Sequence, residues 1–480
     1  VQFLVKRIPT CIGELDPFIE GGFPSGSLIL VAGAPGTGKT MFSARYLCEG
    51  ATRYGENGVY ASFAESKATF IENESRFCGR DVAKLNEEGK FRFLDLVTVK
   101  EQGVSEAVNL ILSEVQSLGA RRLVVDSFSA MAQAFRDPIE ARVMLHTIIG
   151  KIVRQLGCTT LLTVETGIGR ETVGLGVEEF VADGVMVLRA WELDGRLIRD
   201  LELVKLRGTR LPERKLVFTL EGGFKAFPPF KPKPIEKPKR FQPIPDPPGM
   251  YSTGSRDLDE ALGGGVSRGS TMLLEVDEKV STLEYHLFVA LMATNFALQR
   301  KGVVIVPSSG VNYLMMRKYV DVYGGTEEEF RRYVRIIVTG ATTPPKDWPN
   351  VIVVKGEDWR GDLDKSVKMS EELSAETGQP NLSIVGTDTL ITLYGEERCE
   401  EILNLSATGA RRAEAMVIAL VKAGRRELAT KLSPIADVYL RLGREHGCLL
   451  LYGIKPRTGL YAVEMDVSKG YPLPKLTPIL

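Results

Sequence analysis

Eight consecutive residues, Gly33-Ala34-Pro35-Gly36-Thr37-Gly38-Lys39-Thr40, set glycines, a lysine and a hydroxyl at the spacing G-x-x-x-x-G-K-[ST]. Glycines so placed let backbone N–H groups turn inward around phosphate oxygens, and a helix starting behind them adds a favourable dipole. The Lys39 ammonium then neutralises β- and γ-phosphate charge, and the Thr40 hydroxyl is suited to Mg²⁺. The candidate nucleotide-binding set is therefore Gly33, Ala34, Pro35, Gly36, Thr37, Gly38, Lys39, Thr40 and Met41, the last opening the helical stretch that runs to Cys48. A second run, Arg122-Leu123-Val124-Val125-Asp126, is an apolar strand ending in a carboxylate, which a P-loop site needs to hold Mg²⁺ directly or through water. An aspartate at a strand end is also a common cap or turn residue; the phosphate loop upstream favours the metal role. No Asn/Thr-Lys-x-Asp guanine-reading sequence occurs, which points to ATP.

The elements that must position these residues follow from the apolar pattern. Leu28–Val31, Val59–Phe63, Leu123–Val125, Thr160–Val164 and Val185–Leu188 read as buried strands, with amphipathic stretches at 104–118 and 139–156 between several of them. Strand alternating with helix predicts an α/β fold, a mostly parallel sheet covered by helices on both faces. The chain has 480 residues, 44% apolar and 25% charged, which excludes disorder and small disulfide scaffolds and suggests more than one domain. Sixty-one basic residues balance 61 acidic ones, so no global field is present to hold a polyanion. No apolar stretch approaches the ~20 residues of a membrane span. The start, Val1 to Arg7, lacks the layout of a signal peptide, and the six cysteines are scattered without a Cys-x-x-Cys pair. Both features lead us to expect a cytoplasmic protein with buried thiols. Three isolated histidines argue against a histidine-based metal site or triad.

Between Pro228 and Pro248 fall nine of the 25 prolines, interleaved with Lys231, Lys233, Lys237 and Lys239. Such a stretch is a semi-rigid spacer or a strap along a surface. It separates an expected domain at 1–227 from a second at 249–480, with 228–248 as linker. The halves open alike: Leu15-Asp16 through Gly26-Ser27 aligns without gaps on Leu258-Asp259 through Gly269-Ser270. Val181-Ala182-Asp183 and Lys205-Leu206-Arg207 return as Ile435-Ala436-Asp437 and Lys455-Pro456-Arg457. The chain reads as a tandem duplication. In the second copy the phosphate loop becomes Val276-Asp277-Glu278-Lys279-Val280-Ser281-Thr282-Leu283, without the glycines or the lysine at their places and with two carboxylates that repel phosphate. Gly386 stands where the first copy has Asp126, with Asp388 nearby. One nucleotide per chain is expected.

These motifs, together with Ile8 to Asp16, Gly21 to Gly26, Glu178 to Asp183 and Lys205 to Thr209, resemble the RecA/RadA/KaiC branch of P-loop ATPases, most closely archaeal KaiC-like proteins. The resemblance covers nearly all of the first domain and, more weakly, the second. It implies two tandem RecA-like domains, each with a C-terminal antiparallel extension of its sheet, and ATP hydrolysis with Mg²⁺ at subunit interfaces of a homo-hexamer or other ring. It further implies a water-activating carboxylate after the strand that follows the phosphate-loop helix. The family pattern there is Phe-Glu-Glu, whereas this chain has Phe63-Ala64-Glu65-Ser66. Glu65 stands either as the displaced catalytic base or as a residue before a helix capped by Ser66, and slow turnover is expected in both cases. Lys205 and Arg207 match positions that reach the γ-phosphate of a neighbouring subunit; the competing reading is basic residues on the wet face of an antiparallel strand. Functionally the resemblance implies an ATP-dependent switch or assembly scaffold with a protein partner not identified by the sequence. Two alternatives remain: a scaffold with negligible hydrolysis, and a RadA-like DNA repair ATPase. DNA is disfavoured, because Gly167–Gly176, where a DNA-facing loop would lie, carries one arginine and no basic stripe.

Overall fold

The computed structural model describes residues 6–78, 82–97, 104–133, 145–146, 148–166, 181–339 and 350–480. The chain forms two compact units, Val1–Pro229 together with Pro478–Leu480, and Phe230–Thr477.

Unit 1 begins with a short ribbon, β1 (Arg7–Ile8) and β2 (Phe23–Pro24), followed by β3 (Leu28–Gly33), α1 (Lys39–Arg53) and β4 (Gly58–Ser62). Then come α2 (Lys67–Cys78), α3 (Val82–Glu87), β5 (Phe91–Asp95), α4 (Val104–Leu118), β6 (Arg122–Asp126), α5 (Phe128–Gln133) and β7 (Thr159–Glu165). The unit closes with β8 (Gly184–Leu193), β9 (Arg196–Leu206), β10 (Lys215–Thr219) and β11 (Lys225–Phe227). The sheet order is β5-β4-β6-β7-β3-β8-β9-β10-β11. It is parallel from β5 to β8, the α/β layout expected from the apolar runs, and antiparallel from there on, the extension that the family resemblance implied. Strands β3, β4 and β6 are buried along their whole length, as their unbroken apolar runs require when helices cover both faces. Of the amphipathic stretch 139–156, residues Ile148–Gln155 form a π-helix, while 139–144 lie outside the described residues.

Unit 2 contains β12 (Met250–Tyr251), α6 (Arg256–Ala261), β13 (Val266–Ser267), β14 (Thr271–Val276), α7 (Thr282–Leu298), β15 (Val303–Val306), α8 (Tyr313–Val322), α9 (Glu327–Tyr333), β16 (Val334–Thr339) and β17 (Val351–Val354). It continues with α10 (Trp359–Thr377), β18 (Leu382–Gly386), α11 (Thr387–Tyr394), α12 (Glu396–Ala413), β19 (Met416–Lys422) and α13 (Arg426–Leu432). Strands β20 (Val438–Glu445), β21 (Cys448–Lys455), β22 (Leu460–Asp466) and β23 (Leu473–Pro478) follow. The order β16-β15-β18-β19-β14-β20-β21-β22-β23 repeats that of unit 1 from β5 to β11, with β17 added at one edge.

The duplication extends to hydrogen bonds. Asp183 Oδ2 accepts from the Leu28 N–H at 3.1 Å, and Asp437 Oδ2 accepts from the Thr271 N–H at 2.9 Å. In the same way Asp16 accepts from the N–H and hydroxyl of Thr10, and Asp259 from those of Thr253. Gly22 and Gly265 have φ of 136° and 127°, and a Cβ on either would lie within 2.5 Å of a backbone carbonyl oxygen, which explains the glycine in both copies.

The proline-rich stretch lies along unit 2. Phe241 is buried edge-on against Tyr323 and Tyr471, Lys239 N–H donates to Gly470 O at 3.0 Å, and Ile244 N–H donates to Asn295 Oδ1 at 2.8 Å. Prolines cannot pair as a sheet strand, so this segment is fastened by the few N–H groups it retains, by the inserted Phe241 ring and by the ion pairs Arg240–Glu329 and Asp246–Lys301. Among the described residues, no helix is long and apolar enough to cross a membrane.

Candidate functional site

The phosphate loop of unit 1 joins two rigid elements. β3 delivers Gly33 from the middle of the sheet, and α1 starts at Lys39 six residues later. Gly36 and Gly38 hold φ of 77° and 98°, values that other residues reach only with strain. A Cβ on Gly33 would meet Thr37 Oγ1 at 2.5 Å and Leu188 O at 2.6 Å. Gly38 is also the N-cap of α1 and brings no side-chain cap, so the positive end of the helix faces the loop.

Lys39 is buried and donates from Nζ to the carbonyls of Gly33 (2.8 Å) and Ala34 (3.0 Å). Burial pulls its pKa down, while Glu165 and Asp126 oppose that effect. The Thr40 hydroxyl donates to Asp126 Oδ2 at 3.1 Å. Asp126 is buried at the end of β6; it also accepts from the hydroxyl of Tyr60 and, at 2.5 Å, from that of Thr163. A hydroxyl and a carboxylate oxygen in contact at the mouth of a phosphate loop form an oxygen donor set that fits Mg²⁺. Met41 lies in the first turn of α1.

Glu65 follows β4 in a tight turn, in which the Ser62 hydroxyl donates to Glu65 O (2.8 Å) and accepts from its N–H (3.0 Å). Burial raises the Glu65 pKa, the negative charge of Asp126 raises it further, and a hydrogen bond with Asn73 works against both. That places Glu65 within electrostatic reach of Asp126.

Lys205 and Arg207 lie elsewhere. Lys205 pairs with Val185, which pairs with Leu30, so it is level with a point three residues before the end of β3, roughly 10 Å back along the sheet. Arg207 stands beyond the end of β9. Its N–H donates to Asp183 O at 2.8 Å, and its guanidinium lies 3.6 Å from the Asp183 carboxylate, beside the start of β3. Both lie back along the sheet from the phosphate loop of their own chain.

Tyr60 and Thr163, which hold the Asp126 carboxylate, escape sequence reading because they are ordinary strand residues. Only their sheet neighbours, set by the order β4-β6-β7, give them a role. Arg199 is missed likewise: from β9 its Nη1 donates to Gly36 O at 2.9 Å. Gly167–Gly176 lies outside the described residues.

Residues 8–224 match the family described as "ATPase: KaiC". A UPF0273 protein of Methanocaldococcus jannaschii is 31% identical over 219 residues, 43% of this chain and 89% of that protein. The chain belongs to the KaiC-like ATPases of the RecA superfamily. The circadian clock oscillator protein KaiC of Thermostichus vulcanus is 31% identical over 277 residues, and the match covers 56% of this KaiC-like chain and 52% of that relative. The chain thus spans about half the length of that relative. The crystal structure of a KaiC-like protein from Pyrococcus horikoshii matches with 33% identity, 47% of this chain, 100% of that one and a TM-score of 0.43. The second half, residues 240–480, matches the family described as "GvpD basic region 2".

In unit 2 of this KaiC-like chain the corresponding turn joins β14 to α7. Lys279 N–H donates to Asp277 Oδ1 at 3.0 Å, and Ser281 N–H donates to Glu284 Oε2 at 2.6 Å, so α7 carries its own carboxylate at its N-terminus. Glu284 is buried and paired with Arg444. A Cβ on Gly386 would lie 2.5 Å from the backbone N and Cα of Ser308, which leaves no room there for an aspartate. Asp388 instead accepts from Ser308 Oγ (2.7 Å) and Ser309 N–H (3.0 Å) and pairs with Lys422 (3.2 Å). Lys455 donates to Ser433 O at 2.6 Å.

Proposed function

We propose that this chain binds one ATP with Mg²⁺ in unit 1 and hydrolyses it slowly as a homo-oligomer, serving as a nucleotide-dependent switch or assembly scaffold. The observation that carries the reading is the uncapped start of α1 behind Gly36 and Gly38, with the Thr40 hydroxyl on the Asp126 carboxylate beside it. Loop amides and the helix dipole bind phosphate oxygens, and the Lys39 ammonium, which now rests on two carbonyls, takes β- and γ-phosphate oxygens in exchange. Thr40 and Asp126 would hold Mg²⁺, which supplies charge neutralisation on the phosphates when bound. Tyr60 and Thr163 fix the direction of the Asp126 carboxylate.

Glu65 is assigned the water-orienting and proton-accepting role. Its raised pKa improves it as a base relative to an exposed glutamate, while the exposed Ala64 leaves no second carboxylate to share the work. Slow turnover follows from that arrangement.

The strand register supports a trans role for Lys205 and Arg207. A cation that cannot reach its own phosphate loop but is more than half exposed at the side chain, as Arg207 is at 56%, suits an interface. Such a group stabilises transition-state charge by about 10³- to 10⁵-fold. The test is native mass and phosphate release on three samples: Arg207→Ala, Lys39→Ala, and the two mixed at low nucleotide. Each variant alone should be nearly inactive, and the mixture should regain part of the wild-type rate in proportion to mixed assembly. Mixed oligomers without recovered turnover would exclude Arg207 as a residue acting across an interface, and a monomer with full turnover would exclude the oligomeric reading.

A further inference from the structure

Arg199 occupies an unusual position. Its Nη1 donates to Gly36 O at 2.9 Å and its Nε donates to Leu480 O at 2.7 Å, so one guanidinium joins the crown of the phosphate loop to the segment Pro478–Leu480, which packs within unit 1. Both of these hydrogen-bond partners are main-chain oxygens, and burial pushes the guanidinium pKa down.

The segment is held on the other side by Thr219. The Thr219 hydroxyl donates to Pro478 O at 2.8 Å and accepts from Leu480 N–H at 3.3 Å, and the side chain of Ile479 is buried. Leu220, next in the chain, lies so close to Gly38 that a Cβ there would meet Leu220 Cδ2 at 2.9 Å. One patch, made of β9, the turn after β10 and residues 478–480, therefore braces the loop at Gly36 and at Gly38.

In a planar trans peptide the C=O and the following N–H point in opposite directions. Holding the Gly36 carbonyl on Arg199 therefore turns the Thr37 N–H across the loop, where it donates to Ala34 O at 3.3 Å, a bond it would exchange for a phosphate oxygen. We propose that Arg199 is a positioning residue of the nucleotide site: it fixes the Gly36–Thr37 peptide with its N–H directed into the loop, and the Pro478–Leu480 segment fixes Arg199. This rests on the proposed nucleotide reading of the loop. It has a reciprocal consequence, because two events that share one guanidinium are linked by a single coupling factor: whatever docking of the segment adds to nucleotide affinity, nucleotide adds to docking.

The experiment uses the full chain with Arg199→Ala, Arg199→Lys, Thr219→Val and Lys39→Ala. Calorimetry gives the Kd for Mg-ATP, steady-state assays give kcat and KM, and amide hydrogen exchange follows Ile479 and Leu480. Arg199→Ala should weaken ATP binding about tenfold while kcat at saturation changes less than about twofold, as expected for loss of one charge-assisted hydrogen bond from loop positioning. Arg199→Lys, which keeps the charge and one donor, should recover most of that loss. Thr219→Val, which removes the clip hydroxyl without touching Arg199, should weaken binding by about threefold. Exchange at Ile479 and Leu480 should slow on addition of Mg-ATP in the wild type and not in Arg199→Ala. A residue with only a structural role would lower the melting temperature of Arg199→Ala without this split between affinity and kcat and without nucleotide-dependent exchange. Wild-type ATP affinity in folded Arg199→Ala, with binding abolished in Lys39→Ala, would overturn the role of Arg199 and leave the nucleotide site standing. Wild-type binding in Lys39→Ala as well would overturn the nucleotide reading itself.

Discussion

The two units run a buried strand of six residues into a helix across a turn of the same length, from Gly33 to Lys39 in unit 1 and from Val276 to Thr282 in unit 2, yet they treat the helix N-terminus in opposite ways. The start of α1 has a left-handed glycine and no side-chain cap, whereas the start of α7 has a glutamate carboxylate on its own Ser281 N–H. A helix N-terminus offers one set of unpaired N–H groups and one end of a dipole. It serves an external anion or an internal one. In the proposed reading unit 1 leaves that end for phosphate at the expense of helix stability, whereas unit 2 satisfies it with Glu284. The strand ends repeat the contrast: Asp126 of unit 1 meets Thr40 at the loop, while Asp388 of unit 2 is tied to Lys422 and Ser308 in a local network.

The largest way to break the contrast is Lys39→Ala, which removes the only loop cation of unit 1. Mg-ATP affinity should fall by a hundredfold or more, since a charge-assisted contact contributes about 3 kcal/mol. Equilibrium binding with a fluorescent ATP analogue checks this; a change under tenfold would place the phosphates elsewhere.

Glu65→Gln should leave affinity nearly intact and slow turnover by about a hundredfold. Its stability signature has a definite sign. The folded pKa is raised, so the stability contribution of the neutral acid is present below the unfolded pKa and is lost as pH rises through the folded value. At neutral pH the ionised carboxylate is a net cost, and Glu65→Gln should melt no lower than the wild type. For the same reason the acidic limb of the wild-type kcat/KM profile, which reports the free enzyme, should lie above that of an exposed glutamate and should vanish in the variant. Unchanged turnover would reduce Glu65 to a turn residue.

Gly38→Ala gives unit 1 a Cβ at φ 98°, 2.9 Å from Leu220 Cδ2, and should weaken nucleotide binding by about tenfold by distorting the loop. Isothermal titration checks that number. The smallest effect belongs to unit 2. Glu284→Gln keeps an acceptor at the start of α7 but loses the charge facing Arg444; it should cost about 1 kcal/mol of stability in denaturant melts and leave ATP binding unchanged.

Much of this contrast was legible in the chain. The glycine positions, Lys39, Thr40 and the Asp126 strand end follow a spacing that physical chemistry dictates, and the loss of each in the second copy was visible by aligning Leu15–Ser27 on Leu258–Ser270. The parallel sheet of unit 1 followed from unbroken apolar runs, its antiparallel extension from the family resemblance, and the like fold of unit 2 from the duplication. What filled the second site was not legible. Glu284 lies three residues past Ser281 and reads as any glutamate in a first helical turn, and the Asp388–Lys422 pair joins residues brought together only by the neighbouring strands β18 and β19. The same limit hid Tyr60, Thr163 and Arg199, whose partners are distant in sequence. The proline-rich stretch read as a spacer or a strap; its fastening on unit 2 depends on Phe241 entering a pocket with Tyr323 and Tyr471, which no local pattern announces.

The central claim is that one helix N-terminus of two is open to phosphate. Calorimetric titration of the full chain with Mg-ATP measures it most directly. The account predicts a stoichiometry near one per chain, abolished in Lys39→Ala and unchanged in Glu284→Gln. Two sites of comparable affinity, or one site that survives Lys39→Ala, would contradict it.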